Sequence, residues 1–386
     1  MIYFHWMVGS VLGLAWVWRL ADAALGMRKI ADISRPEWDH KPAAPPRVSL
    51  IVPARNEEAD IAATLTRLLT LDYNSYEIIA VDDRSTDRTG AIMEEIAASV
   101  PERLKVIRIA ELPAGWVGKT HAMWAAGEQA SGHWLLFTDA DVQFKPDVLR
   151  RALVYAESER ADHVVLFPRM IMKRPGEKMM IAFFQTLFVF GHRPWKVADP
   201  KSKDHMGVGA FNLIRRNIYE AVGTYQALRF DVLDDMKLGK VVKNGGFAQR
   251  NVFGADLISI RWAKGAMGVV DNLTKNFFAI MSFHWPRALA SCFALAFLNL
   301  MPFAGILLAH GWARLGYGVA LAAMFFIYVG MSTKSGIPPY YFVLHPLSTA
   351  LFVYTMLRST FLTLGKGGVV WRGTFYPLHE LRKEMV

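Results

Sequence analysis

Residues 134–142 read WLLFTDADV: an apolar run that ends in the triplet Asp139-Ala140-Asp141. Four consecutive apolar residues bounded by polar ones fit a buried strand of a parallel sheet. In open α/β sheets, ligands gather at the carboxyl ends of the strands, which is where this triplet falls. Two carboxylates so close repel each other unless a cation lies between them or one is protonated. A hard divalent cation such as Mg²⁺ or Mn²⁺ answers that problem, and diphosphate oxygens would complete its shell. A bare D-x-D is common by chance, and an ordinary turn is the competing reading.

The same pattern repeats upstream. Val48–Val52 is a short apolar run, Glu58–Leu69 has a helical pattern, and Glu77–Val81 is a second strand closed by Asp82-Asp83. Thr86–Ala98 is helical, Leu104–Ile109 is a third strand, and Lys119–Ala130 leads back to the strand at 134–138. Strands alternating with helices imply an α/β domain with a mainly parallel, Rossmann-like sheet. Asp82 and Asp83 are placed to accept hydrogen bonds from a base or ribose, while Asp87 could simply cap a helix. Downstream, Asp234-Asp235 opens the helical pattern Met236–Lys243. A carboxylate in a cleft can deprotonate an attacking hydroxyl; an acid-rich helix N-terminus is the alternative.

Both ends of the chain differ from this core. The 386 residues are 53% hydrophobic with a formal net charge of +10. Charges are dense from about Arg28 to Lys275 and sparse from Ala288 to Leu357. No run is polybasic, so the positive balance favours lipid headgroups and phosphates over nucleic acid. The single cysteine, Cys292, cannot form an internal disulfide. Residues 4–18 (FHWMVGSVLGLAWVW) reach the ~20 residues of a membrane span if counted to Leu25. No Lys or Arg precedes them, whereas Arg19, Arg28, Lys29 and Arg35 follow, so the positive-inside rule puts the next domain in the cytoplasm of a multi-pass inner-membrane protein.

The expected organisation is an anchor at 1–26, a proline-bearing linker at 27–46 and an α/β domain at 47–275. It continues with an interfacial helix at 276–288 (NFFAIMSFHWPRA), membrane helices over 289–364 and a basic cytoplasmic or interfacial tail at 365–386. Met179–Phe190 is core or interfacial. The apolar segments 289–309, 313–331 and 340–363 make three further spans. Together with the anchor they would leave Lys366, Arg372, Arg382 and Lys383 outside, against the charge rule. Pro346 and Arg358 suggest that 340–363 re-enters or lies at the interface.

Taken in order, these motifs resemble the family 2 glycosyltransferases of the GT-A fold, over roughly Val48 to Lys275. VSLIVPARNEEADI (48–61) is similar to that family's first strand and loop, VDDRSTD (81–87) to its nucleotide-binding acidic motif and GWVGKTHA (115–122) to its lysine segment. LLFTDADV (135–142) is similar to its metal-binding D-x-D and FDVLDDMKLGKVVKNGG (230–246) to its E-D base segment. WRGTFYPL (371–378) resembles the tail of the membrane-bound subgroup associated with hopanoids, carotenoid acids and ceramide.

The resemblance implies an inverting hexosyltransferase that moves a sugar from a nucleotide-sugar, a UDP-sugar by family expectation, to a membrane lipid. A processive polysaccharide synthase is the alternative enzyme, and a membrane scaffold or transporter the non-enzymatic one. It implies nucleotide-sugar contacts at Pro53, Ala54, Arg55, Glu57, Asp82, Asp83, Asp139 and Ala140, and a metal held by Asp141 and Asp139. Asp235 would be the base, with Asp234 as its rival because the E-D pair is Asp-Asp here. Lys119 would neutralise phosphate or orient Asp141, or be structural. The Q-x-x-R-W motif is reduced to Ser259-Ile260-Arg261-Trp262; Arg261 and Trp262 would close over the diphosphate, with simple packing of the Trp as the rival. His205, in HMGVGAFNLIRR (205–216), reads as an ordinary loop histidine, while Gly207 and Gly209 permit close backbone approach.

Overall fold

The computed structural model describes residues 2–42 and 44–383. Met1, Ala43 and Glu384–Val386, parts of the expected anchor, linker and tail, lie outside them. In chain order the helices are α1 (Ile2–Gly26), α2 (Ile61–Leu69), α3 (Thr89–Ser99), α4 (Gly118–Gln129), α5 (Val148–Ser158), α6 (Pro175–Gly191) and α7 (Arg216–Ala221). They continue with α8 (Asp234–Asn244), α9 (Gly265–Ile280), α10 (Trp285–Leu308), α11 (Arg314–Ser335), α12 (His345–Lys366) and α13 (Leu378–Lys383). The strands are β1 (Val48–Ala54), β2 (Tyr76–Asp83), β3 (Leu104–Ile109), β4 (Trp134–Phe137), β5 (Gln143–Phe144) and β6 (His163–Leu166). After these come β7 (Arg169–Met170), β8 (Asn212–Arg215), β9 (Gln249–Val252), β10 (Ile258–Ile260), β11 (Gly368–Trp371) and β12 (Thr374–Pro377).

The chain divides into two units. The sheet unit comprises Ile30–Ile171 and Lys196–Arg261. Its seven-stranded sheet has the order β3-β2-β1-β4-β8-β6-β9. β3, β2, β1 and β4 run parallel, β8 runs antiparallel to both β4 and β6, and β9 is parallel to β6. Side chains alternate across the sheet: Val48, Leu50 and Val52 enter one core and Ile51 the other, as do Trp134 and Leu136 against Leu135 and Phe137. Both faces are therefore covered, as a parallel sheet requires. Strand order reverses between β1 and β4, so the crevice beyond their carboxyl ends is the topological switch point. β10 pairs with β5, just after Asp141, and with β7 in a small second sheet.

The expected linker is not free. Ile33 is fully buried in the first core, Asp32 bridges to Phe253, and Asp39 takes Arg150 at 2.7 Å and Arg151 at 2.6 Å. Its prolines stop helix and strand, but they do not prevent docking.

The helical unit comprises the N-terminal residues to Lys29, Met172–Trp195 and Trp262–Arg382. It contains α6 and α9, which the sequence reading placed inside the α/β domain. Their aromatic faces meet Phe352 of α12 through Phe183, Phe184 and Phe277. The expected helix at 276–288 is two helix ends: α9 stops at Ile280 and Pro286 opens α10. Between them Ser282 and Phe283 have φ of 53° and 57°. The expected tail is folded too. β11 and β12 form a hairpin whose two-residue turn, Arg372-Gly373, has both φ positive, as twisted hairpins prefer.

Among the described residues, four helical segments are long and apolar enough to cross a membrane: Tyr3–Lys29, Trp285–Leu308, Gly311–Ser335 and Pro339–Lys366. α1 packs on α11 through glycines; a Cβ on Gly316 would strike the backbone of Gly9. His5 meets the Tyr317 hydroxyl at 3.1 Å, and Trp16 donates to the Leu298 carbonyl at 3.2 Å. Because Tyr317 also packs on Gly305, α1 descends α10 from its end toward its start. α12 runs the same way. At its first residue, His345 bridges Tyr328 of α11 and Asn299 of α10, both at 3.0 Å. Fourteen residues on, Ser359 accepts the Phe278 N–H at 3.0 Å, and Arg358 pairs with Asp271 at 2.6 Å. Arg382 then donates to the Phe283 carbonyl at 2.7 Å, beside the start of α10.

Candidate active site

The loops after β1 and β2 are interlocked. The Asn56 side chain accepts the Thr86 N–H at 2.8 Å, and the Glu57 N–H donates to Thr89 Oγ1 at 2.8 Å. Asn56 itself sits at φ 54°. Asp87 accepts from the N–H and hydroxyl of Thr89 and from the Glu58 N–H. Its role is therefore the structural one. This latch holds Pro53, Ala54, Arg55 and Glu57 at the switch-point crevice.

Asp82 and Asp83 are the last two residues of β2, as expected, and both are buried. Asp82 accepts the Ser85 N–H at 3.2 Å. Asp83 holds Arg84 through two bonds, from Nε at 2.7 Å and Nη2 at 3.0 Å. Gly118 abuts the Asp83 carboxylate, and a Cβ there would collide with it. His121, one turn along α4, meets Trp116 edge-on and Trp124 at a tilt, and was not singled out from the sequence.

β4 delivers the D-x-D. Ala140 is buried and its carbonyl accepts the Thr64 hydroxyl at 2.7 Å, pinning the middle of the triplet. Asp139 Oδ1 accepts from Lys119 Nζ at 2.8 Å, and the same ammonium reaches Asp234 Oδ2 at 3.2 Å. Lys119 therefore joins the D-x-D to the start of α8. Of the expected partners, Asp141 is replaced by the other carboxylate of the triplet, Asp139. Its own pKa is raised by Asp139 and Asp234 against the cost of burial.

Asp141 is different. Burial, then the charges of Asp139, Glu57 and Asp60, push its carboxyl up to about 7. Two carboxylates this close at a strand end are the kind of oxygen donors that could hold a hard divalent cation. Among the described residues no three His, Cys, Asp or Glu side chains converge as a preformed metal site. Asp139 and Asp141 are the residues of this cluster that could hold such an ion.

Asp235 lies beside this cluster. Its Oδ2 accepts the Gly209 N–H at 2.9 Å and its Oδ1 the Met236 N–H at 2.7 Å. Burial and the neighbouring Asp234 raise its pKa to about 6, with Lys119 pulling the other way. Asp234 is buried and pairs with Lys119, whereas Asp235 accepts two backbone N–H groups. The backbone of Gly207 and Gly209 approaches closely: a Cβ on Gly207 would overlap the Asp235 carbonyl, and one on Gly209 the Asp139 carboxylate. His205 is an ordinary loop histidine, its Nδ1 on the Lys203 carbonyl at 3.1 Å.

Arg261 follows β10 in the sheet unit. Trp262 belongs to the helical unit, where its ring packs on Phe184 at 5.3 Å and its carbonyl accepts from Asn272. Trp262 is packed on Phe184, and Arg261 and Trp262 fall in different units.

Residues 49–233 match the model of the family described as glycosyl transferase family 2. The chain carries a family 2 glycosyltransferase domain. Its sheet unit, with neighbours of GT-A type, is that domain's scaffold. A β-monoglucosyldiacylglycerol synthase of Synechocystis is 35% identical over 159 residues, 40% of this chain and 33% of the relative. A 4,4'-diaponeurosporenoate glycosyltransferase of Staphylococcus haemolyticus is 24% identical over 59% of this chain and 60% of its own length. The chain thus spans about a third of the first relative and three fifths of the second. The mannosyltransferase PcManGT of Pyrobaculum calidifontis, solved in complex with GDP-Man and Mn²⁺, superposes with a TM-score of 0.55. That match is 20% identical and covers 92% of this chain and 98% of the other, a likeness of fold.

Proposed function

We propose that the protein transfers a sugar from a nucleotide-sugar to the hydroxyl or carboxyl group of a membrane lipid, with inversion at the anomeric carbon. The observation that carries this reading is the acidic cluster at the switch point: Asp235 with a pKa near 6, beside Asp139 and Asp141 at the end of β4. Asp235 takes the proton of the acceptor hydroxyl. The acceptor oxygen bonds to C1 as the bond from C1 to the diphosphate oxygen breaks, and the nucleoside diphosphate leaves with the electron pair. A carboxylate acceptor, already ionised, needs no such proton removal. Asp139 and Asp141 would hold Mg²⁺ or Mn²⁺, which when bound neutralises charge on the departing diphosphate. Lys119 keeps Asp139 and Asp234 in register, and Asp83 is placed for the nucleoside.

Lipid acceptance is supported by the long apolar helices among the described residues and by the similarity to a β-monoglucosyldiacylglycerol synthase and a 4,4'-diaponeurosporenoate glycosyltransferase. We further propose that three of those helices cross the inner membrane and that α12 re-enters. Asn299, the partner of His345, is about 21 Å along α10 from its start, so α12 begins well inside the bilayer. It then runs back to the side where α10 began. Irregular backbone at that depth is tolerated where protein buries it, and His345, Tyr328 and Asn299 bury and satisfy this turn. Lys334, Lys366, Arg372 and Arg382 then share the cytoplasmic side with Arg28 and Lys29, as the charge rule asks.

The test uses the full chain in lipid nanodiscs with nucleotide-sugars and divalent cation. Sugar-modified lipid formed by the wild type and lost in Asp235→Asn supports the reading. Unchanged product in that variant, or long polymer without glycolipid, refutes it.

A further inference from the structure

A buried polar chain behind the site has no part in the chemistry described so far. Gln249, on β9, is 1% exposed. Its Oε1 accepts the Met206 N–H at 2.9 Å. Its Nε2 has two hydrogens and three acceptors within reach, the Met206 and Gly239 carbonyls, each at 3.1 Å, and His163 Nδ1 at 2.8 Å, so one N–H is shared between two of them. Burial pulls the His163 pKa down to about 4, so the ring is neutral, with one nitrogen accepting and one donating. With Nδ1 accepting, Nε2 donates to Asn212 Oδ1 at 3.2 Å, and Asn212 Nδ2 donates to the Val208 carbonyl at 2.8 Å.

Every end of this network lands on one strap, Met206–Gly209, or on α8. The strap in turn holds the site. Its Gly209 N–H binds Asp235 Oδ2 at 2.9 Å, and its Gly209 carbonyl accepts the Asp139 N–H at 3.0 Å. One short segment thus sets the base and the first residue of the D-x-D together. Burying so many polar atoms is costly unless all are paired, and here each partner is part of the strap or its support.

We propose that Gln249, with His163 and Asn212 behind it, is a positioning residue that fixes Asp235 against the D-x-D through the Met206–Gly209 strap. The inference rests on the proposed role of Asp235. Gln249 touches no substrate; it acts by holding the strap at both the N–H and the carbonyl of Met206. An isosteric Gln249→Met keeps the volume and removes every bond. Displacement of the strap on the ångström scale lowers kcat by roughly ten- to a hundred-fold.

The deciding experiment is a double-mutant cycle on the full chain, with kcat for glycolipid formation measured in wild type, Gln249→Met, Asp235→Ala and the double variant. If Gln249 acts through Asp235, Gln249→Met costs nothing further once Asp235 is gone. If it is merely structural, the losses multiply, and the inference is overturned. Should Gln249→Met fail to fold, Asn212→Asp, which keeps the acceptor for His163 and loses the donor to Val208, gives the same cycle. Full transfer in Asp235→Ala alone would overturn the assigned base instead, a different failure.

Discussion

Replacing Lys119 with Met keeps the length of the side chain and deletes the cation that joins Asp139 to Asp234. Those contacts are 2.8 Å and 3.2 Å, and the Lys119, Asp139 and Asp234 side chains are 19%, 32% and 7% exposed. Removing one partner from a buried ion pair costs about 3–5 kcal/mol, because the charge left behind has no counter-ion. Asp139 is a third exposed, and solvent screens part of that, so the expected loss is about 2–4 kcal/mol. For a unit of this size that lowers the unfolding midpoint by roughly 5–15 °C. The loss is read at pH 8, where carboxylates are ionised.

The same substitution has a catalytic signature. Lys119 pulls the Asp235 pKa down, so deleting it lets that pKa rise above about 6. A base acts only when deprotonated, hence the acidic limb of the kcat/KM profile moves to higher pH in Lys119→Met. The assay pairs thermal unfolding of the full chain in detergent at pH 8 with a pH–rate profile of transfer. A variant as stable as wild type at pH 8, with an unmoved acidic limb, would refute the bridging role of Lys119.

Three further outcomes are expected. The Asp141 pKa is raised to about 7, so its folded carboxyl binds a proton that the unfolded one releases; stability falls as pH rises from about 4 through 7. Adding Mn²⁺ at pH 8 should restore the midpoint in wild type and leave Asp141→Asn unchanged, as thermal scans can check. In a Cys292→Ala background, His379→Cys should react with an impermeant maleimide from the same side as the exposed Lys105→Cys, and Trp312→Cys from the other; labelling of His379→Cys alongside Trp312→Cys would mean four full spans. Gly316→Val drives a side chain into the backbone of Gly9 and should cost the helical unit about 1–3 kcal/mol, whereas Gly330→Val meets open space and should be neutral by the same thermal assay.

The strands β1, β2 and β4 were legible as apolar runs that end at polar or acidic residues, and β3 as a short segment of mixed apolar and basic residues. The acidic residues were legible for the same reason, as endings of such runs. The Lys119 pairing was not, because α4 and α8 are brought together only by the sheet order, which the sequence does not state. Gly207 and Gly209 announced a close backbone approach, but its targets, Asp235 and Asp139, needed the fold. Gln249 carries no local pattern; its meaning is wholly tertiary. The apolar runs at α6 and α9 looked the same whether they served a soluble core or a membrane bundle. The linker prolines resembled those of a free tether, since the contacts that dock it come from Arg150 and Arg151, more than a hundred residues later.

The most direct measurement is mass spectrometry of lipids after the full chain has acted on a nucleotide-sugar in nanodiscs, with the anomeric configuration of the product read by NMR. The account predicts a lipid carrying one added sugar, inverted relative to the donor, formed by wild type and reduced roughly a hundred- to ten-thousand-fold in Asp235→Asn for a hydroxyl acceptor. A product with retained configuration, or an Asp235→Asn protein as active as wild type on that acceptor, would contradict it.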